Sequence, residues 1–280
     1  MQSELCIFDM QTRRATVVLT HDGHIEAPNW HPGGYLIVNG GALLFRVPLD
    51  APVLEQIDTG FANRLNNDHG PSPDGQTLAI TDKTETGEAC IYRLPINGGK
   101  LARVSEKTPS YWHSWSPDGG TIGYVGRRET GHYWVYTSAA DGGAETCLSA
   151  GFDHADGPDY TPDGHWIWFN AERDGAVDLW RIRPDGTDLQ RMTQDDSVNW
   201  FPHPSPDGQG VIYLAYAPDT RFHPANLAVE IRWLPAEGGA AQTLVSLCGG
   251  QGTMNVPCWR ADGQQFAFMR YSLENPAISD

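Results

Sequence analysis

The same arrangement of apolar and polar positions returns six times along the chain. Short apolar runs rich in β-branched and aromatic residues flank a polar turn in NWHPGGYLIV (29–38), PSPDGQTLAI (71–80), WSPDGGTIGYV (115–125), YTPDGHWIWF (160–169), PSPDGQGVIYL (204–214) and WRADGQQFAFM (259–269). Such runs on either side of Pro-Asp-Gly predict a β-hairpin, with proline fixing φ and glycine accepting a positive φ. The final glycines of the six copies, Gly34, Gly75, Gly119, Gly164, Gly208 and Gly263, stand 41, 44, 45, 44 and 55 residues apart. A period in the forties is the length of one propeller blade.

A second hairpin follows the first in each repeat, as in ACIYRLPINGGKLARVS, YWVYTSAADGGAETCLS, DLWRIRPDGTDLQRMT and EIRWLPAEGGAAQTLV, where Asn-Gly-Gly, Asp-Gly-Gly and Asp-Gly-Thr form the turns. Each repeat therefore supplies strands A, B, C and D. After QQFAFMRY too few residues remain for another hairpin, and the missing one stands at the other end of the chain in LCIFDMQTRRATVVLT. The expected fold is all-β: a six-bladed propeller of four-stranded antiparallel blades, one domain over residues 1–280, its last blade formed by about 254–271 plus 1–20. Closure of this kind hides the sheet edges that an open array would expose.

Charge and composition narrow the partners. The 19 Lys and Arg stand against 35 Asp and Glu, a formal charge of -16 that repels phosphate backbones and argues against nucleic acid. No apolar run approaches the ~18 residues needed to cross a bilayer, so membrane insertion is not expected. The segment MQSELCIFDM lacks the basic stretch and apolar core of a signal peptide, and a cytoplasmic protein is expected. Five cysteines without C-x-x-C spacing fit reduced thiols buried in strands.

The phrases SPDGQTLAI and SPDGGTIGYV, followed by IY-type C strands and a Gly-Gly turn, resemble the TolB-like propeller repeat, and the resemblance runs over essentially the whole chain. It implies the six-bladed fold. TolB proteins carry in addition a signal peptide and an N-terminal α/β domain, neither of which matches a segment here. The repeat is also similar to that of oligogalacturonate lyases and of prolyl-oligopeptidase relatives. The latter imply a G-x-S-x-G elbow, and this sequence contains none.

Strand A is innermost in a blade, so the loops leading into it and the B–C loops should open at one mouth of the central channel. Those loops are rich in His, Asp, Asn and Trp: HIEAPN (24–29), NNDHG (66–70), SYWHS (110–114), FDHADGPD (152–159), VNWFPH (198–203) and QGTMNVP (251–257). At one equivalent position four repeats carry Pro28, Pro158, Pro202 and Pro257, whereas two carry His69 and His113. With Asp68, His154 and Asp156, these make a set of imidazoles and carboxylates that could hold a divalent metal ion (His69, His113, His154) or act as acid and base (His113, His154, Asp156).

Trp112 and Trp200 offer flat faces for a sugar ring, and Glu26, Asn67, Asn199, Gln251 and Asn255 offer polar groups that donate and accept. The fifth repeat is longer by about 11 residues (55 against 44), an excess placed in APDTRFHPANLA (217–228), where His223 and Arg221 would hang over the mouth as a lid. Three functions compete. The first is binding of a small polar ligand, a saccharide among them, or of a protein partner at this mouth. The second is a carbohydrate-active lyase or hydrolase using the mouth histidines and a divalent metal, and the third is a scaffold for protein interaction.

Overall fold

In the computed structural model, which describes residues 1–272, six antiparallel sheets are arranged as blades. Blade 1 runs Glu26–His31, Tyr35–Gly40, Leu43–Pro48 and Glu55–Gln56 from the inside outward. Blades 2, 3 and 4 begin with Leu65–Pro71, Ser110–Trp115 and His154–Tyr160, and each likewise ends in a strand of two residues. Blade 5 begins with Val198–Pro204 and continues through Gly210–Tyr216. Its outer pair departs from the others, because Ala225–Pro235 and Gln242–Gly250 run for 11 and 9 residues. Of the segment expected as a lid at 217–228, residues 217–224 remain a loop, and 225–228 join the longer outer hairpin.

The last blade joins both ends of the chain. Gln265–Ser272 pairs with Gln2–Asp9 over eight residue pairs from Gln265↔Asp9 to Ser272↔Gln2, and Arg14–Asp22 lies outside. The innermost position of this blade is reduced to a single bridge, Trp259↔Phe266.

Why the sequence makes this shape is visible in the turns. In the second repeat the Asp74 carboxylate accepts from Gln76 N (3.0 Å) and from the Ser72 hydroxyl (2.5 Å), while Ser72 Oγ accepts from Thr77 N (3.0 Å). The same bonds recur at Ser116 with Asp118, Thr161 with Asp163, and Ser205 with Asp207. Gly119 adopts φ 71°, the left-handed region the turn requires and in which a Cβ is disfavoured. The period-two alternation then sends neighbouring side chains to opposite blades. Leu36 and Val38 pack with Leu5, Ala267 and Met269 of blade 6, whereas Ile37 packs with Leu78 and Ile80 of blade 2. Six such clusters, one at each blade junction, close the ring. All five cysteines are free thiols, and Cys6, Cys90 and Cys258 are buried.

Candidate functional site

The inner strands carry a β-bulge in blades 1 to 5, and in blades 1, 4 and 5 it contains Pro28, Pro158 and Pro202. A proline inside a bulge removes no ladder hydrogen bond, which explains why the repeat accepts it. In blade 3 the bulged residue, between Trp112 and Ser114, is His113. In blade 2 the bulge comes earlier and His69 is back in register with Ile80. These two histidines therefore have different fates.

His113 is almost fully buried, with Nε2 3.0 Å from Asp156 Oδ1 and Nδ1 3.3 Å from the Asn255 carbonyl. Asp156 is the hub of the site. Its Oδ1 also accepts from Gly157 N (2.8 Å), and its Oδ2 lies 3.8 Å from His154 Nε2 and 3.7 Å from His223 Nε2. The last two distances exceed a hydrogen bond and act through charge. Three imidazoles from three blades thus face one carboxylate, with His223 of the 217–224 loop in the place expected for His69.

Burial by itself raises the Asp156 carboxyl, but the His113 hydrogen bond, the nearby His154 imidazole and the charges of His113 and His223 outweigh it and hold it well below the usual range. Burial likewise opposes the charge on His113, and the Asp156 bond together with the Asp68 and Asp156 charges overcomes it, so the imidazole is raised above 6.5. Both shifts describe one buried imidazolium–carboxylate pair. His223 is lowered, because burial exceeds the pull of Asp156.

Around this pair lies a cavity of about 280 Å³ lined by Asn66, Asn67, Asp68, Tyr111, Tyr133 and Gln251 as well as the hub residues. Val125, Phe201 and Asn255 complete its wall, and Phe222 and His223 of the loop close one side. Glu26 stands behind Asn67, accepting from its Nδ2 at 3.1 Å. Asp68 accepts from the Asn66 amide, yet burial, with Asp156 and Glu26 adding to it and His113 opposing, pushes its carboxyl up to about 6. Phe201 holds the left-handed conformation at φ 54°, a strained place for a bulky residue, with its N–H donated to Asn170 Oδ1 at 3.0 Å.

Other expected site residues lie elsewhere. His69 is completely buried without a polar partner and is not in the cavity wall; burial pushes it down to about 3, so its ring is neutral. Trp112 fills the junction between blades 2 and 3, so close to the backbone that a Cβ at Gly70 would lie 2.3 Å from its ring. Asn199 is buried and donates to Thr193 Oγ1 and Asp195 Oδ1. Trp200 is a backing wall, its ring 4.4 Å from that of His223 and 5.7 Å from that of His154. Arg221 is exposed and does not line the cavity. The metal set of His69, His113 and His154 is corrected on the same ground, since His69 is absent from the site. Among the described residues no group of three or more His, Cys, Asp or Glu is arranged to hold a metal ion.

Sequence reasoning missed Asn66, Val125, Tyr133 and Phe222. Asn66 and Phe222 stand beside residues that were singled out. Val125 lies near the end of Thr121–Arg127 and Tyr133 begins Tyr133–Ala139, on either side of a B–C loop; that loop was expected at the mouth, but these strand residues beside it were not singled out.

The buried Asp68 gives a direct test of the electrostatics. A carboxyl raised from 3.8 to about 6 carries a penalty that accrues as pH rises from 3.8 to about 6 and is complete above it. Asp68→Asn is therefore expected to stabilise the protein by about 1–3 kcal/mol at neutral pH and to change it little near pH 4. Denaturant melts at the two pH values decide this, and an equal effect at both would contradict the shift.

The TolB β-propeller domain matches residues 113–233. A TolB-type protein from Agrobacterium tumefaciens, whose structure is known, is 46% identical, the match covering 98% of this chain and 99% of that one with a TM-score of 0.95. TolB from Acinetobacter baumannii is 16% identical with a TM-score of 0.69, covering 90% of this chain and 64% of that one. An oligogalacturonate lyase solved with manganese is 15% identical with a TM-score of 0.55, covering 93% and 70%. The last two are likenesses of fold alone. Six spaced Pro-Asp-Gly-type turns, ring closure through residues 2–9 and near-complete alignment at 46% identity lead to one assignment: the chain belongs to the TolB-like family of six-bladed β-propellers.

Proposed function

We propose that this propeller binds a small, uncharged, polyhydroxylated ligand, of which a neutral saccharide is the model, at the channel mouth around Asp156. The observation that carries the reading is the make-up of the cavity. Two carboxylates, three imidazoles, two tyrosines and several amides converge there without one lysine or arginine. Hydroxyl groups donate to Asp68, Asp156 and the amide oxygens and accept from the amide nitrogens and His154, whose Nε2 has no hydrogen-bond partner. Tyr111 and Tyr133, their rings 6.2 Å apart, supply apolar faces with polar ends. An Asp68 kept ionised at a cost to stability also supports a functional role for this end of the channel.

The alternative, a lyase that removes a proton beside a uronate carboxylate, needs a cation to stabilise the enolate. The cavity wall offers no arginine or lysine, and among the described residues no three or more His, Cys, Asp or Glu are arranged to hold a metal ion. Binding without bond cleavage is the better-supported reading.

Calorimetry with a panel of neutral mono- and disaccharides against galacturonate oligomers tests it. A neutral sugar is expected to bind, and Tyr133→Ala, at a half-buried position in the wall, is expected to weaken it by ~10-fold or more, the loss of a stacking and hydrogen-bonding residue. Tighter binding of the uronates, or their depolymerisation, would overturn the proposal.

A further inference from the structure

A second cavity of about 310 Å³ lies at the other end of the channel, on the face where the Pro-Asp-Gly turns stand. Its wall includes the six residues that occupy one position of the repeat, four before the turn glycine: Trp30, Pro71, Trp115, Tyr160, Pro204 and Trp259. Two of the indoles are pinned, Trp115 Nε1 donating to the Gly70 carbonyl at 3.2 Å and Trp259 Nε1 to the His203 carbonyl at 3.0 Å. A cup of rigid aromatic and proline rings loses little freedom when a ligand enters.

Two observations indicate what would enter. Asn29 Oδ1 and Trp112 Nε1 belong to residues in the wall that are each 1% exposed, and neither atom has a hydrogen-bond partner. A hydroxyl group answers both, because it donates to an amide oxygen and accepts from an indole N–H.

The second observation is charge. No lysine, arginine or histidine lines the cup, and Pro73, Pro117 and Pro206 of its wall are each followed in the chain by a turn aspartate, Asp74, Asp118 or Asp207, without a cationic partner among the described residues. Asp74 and Asp118 are held below the usual carboxylate range, first by the hydroxyls of Ser72 and Ser116 and then by backbone N–H groups. Asp159, also in the wall, adds no net charge. His203 Nε2 must donate to the Met254 carbonyl (2.8 Å), so the 3.0 Å contact between Nδ1 and Asp159 needs a shared proton. At the rim a cation already faces an aromatic ring, the Arg260 guanidinium lying 5.8 Å from the Trp30 centroid while paired with Asp262.

We propose that this cup binds a small hydroxylated organic cation, its charged nitrogen against the tryptophan and tyrosine faces and its hydroxyl on Asn29 and Trp112. It is separate from the site around Asp156, which faces the other mouth.

Choline is the probe for the full chain, compared with its uncharged isostere 3,3-dimethylbutan-1-ol, which keeps the hydroxyl, and with tetramethylammonium, which keeps only the charge. Each control is expected to bind ~10-fold or more weakly than choline, the usual worth of a cation over aromatic faces or of a buried hydrogen bond. Trp115→Leu is expected to weaken choline by a similar factor, with signals of the Trp112, Trp115 and Trp259 indole N–H groups shifting in the parent on titration. Should Trp115→Leu fail to fold, the exposed-turn pair Asp74→Asn with Asp118→Asn still tests the charge, because asparagine preserves the turn acceptor; several-fold weaker binding with a flatter salt dependence is expected. Equal affinity for the uncharged isostere, no saturation by choline at tens of millimolar, or shifts confined to the mouth around Asp156 would overturn the proposal.

Discussion

Removing residues 1–22 is expected to abolish the native fold rather than lower its melting temperature by a few degrees. Those residues form the outer two strands of the last blade, and Gln2–Asp9 pairs along its whole length with Gln265–Ser272. Leu5, Cys6 and Phe8 are at most 2% exposed and belong to the clusters on both sides of that blade. Burial of each large apolar side chain contributes about 1.5–3 kcal/mol, and eight paired residues add their hydrogen bonds, so the loss rivals the 5–15 kcal/mol that stabilises a typical domain. The bared strand would also present eight residues of unpaired backbone and the apolar side chains Phe266, Phe268 and Met269. Aggregation on size-exclusion chromatography and loss of the cooperative melt are the expected result. A monomeric truncation melting within a few degrees of the parent would refute the closure argument.

Replacing Asp156 has the second largest expected effect, because it removes the one anion that three imidazoles share. Asp156→Ala leaves His113 buried without its carboxylate, a loss of about 3–5 kcal/mol for one half of a buried pair. Ligand binding at the mouth is expected to vanish with it. Asp156→Asn keeps the volume and isolates the charge. Burial then stands against Asp68 and the Asn255 carbonyl without Asp156, so the His113 ring should titrate below its parent value. The sign of the stability change follows from both partners. His113 is raised, so its contribution is complete below 6.5 and disappears as pH climbs through its folded value; Asp156 is lowered, so its contribution is complete above 3.8 and fails only at much lower pH. The gap between parent and Asp156→Asn should therefore be widest between about pH 4 and 6.5 and narrow in alkali. Histidine ring titration by NMR and melts across that range check it. A constant gap would show that the pair is not the source.

The sequence by itself determined the architecture of this protein. Six turns with one residue pattern set the hairpins, alternating apolar residues such as Leu36, Ile37 and Val38 set which neighbour each strand packs against, and the displaced hairpin at residues 5–20 set how the ring closes. These are local, periodic interactions, repeated six times, and they add in the same direction. The mouth was legible only in part. Asp68, His113, His154 and Asp156 could be gathered from the repeat, since equivalent positions in adjacent blades come close around the axis. Their separation from His69 was decided by the tertiary structure. The repeat gives His69 and His113 the same address, but a bulge shifted within blade 2 returns His69 to the ladder while His113 stands out of it. A one-residue slip in a strand reverses the face a side chain takes, and nothing in the sequence marks where that slip is absorbed. The loop at 217–224 is the other case. Its extra length could be counted, yet only the packing of His223 against Trp200 and Phe201 decided that this histidine, from outside the repeat, becomes the third partner of Asp156.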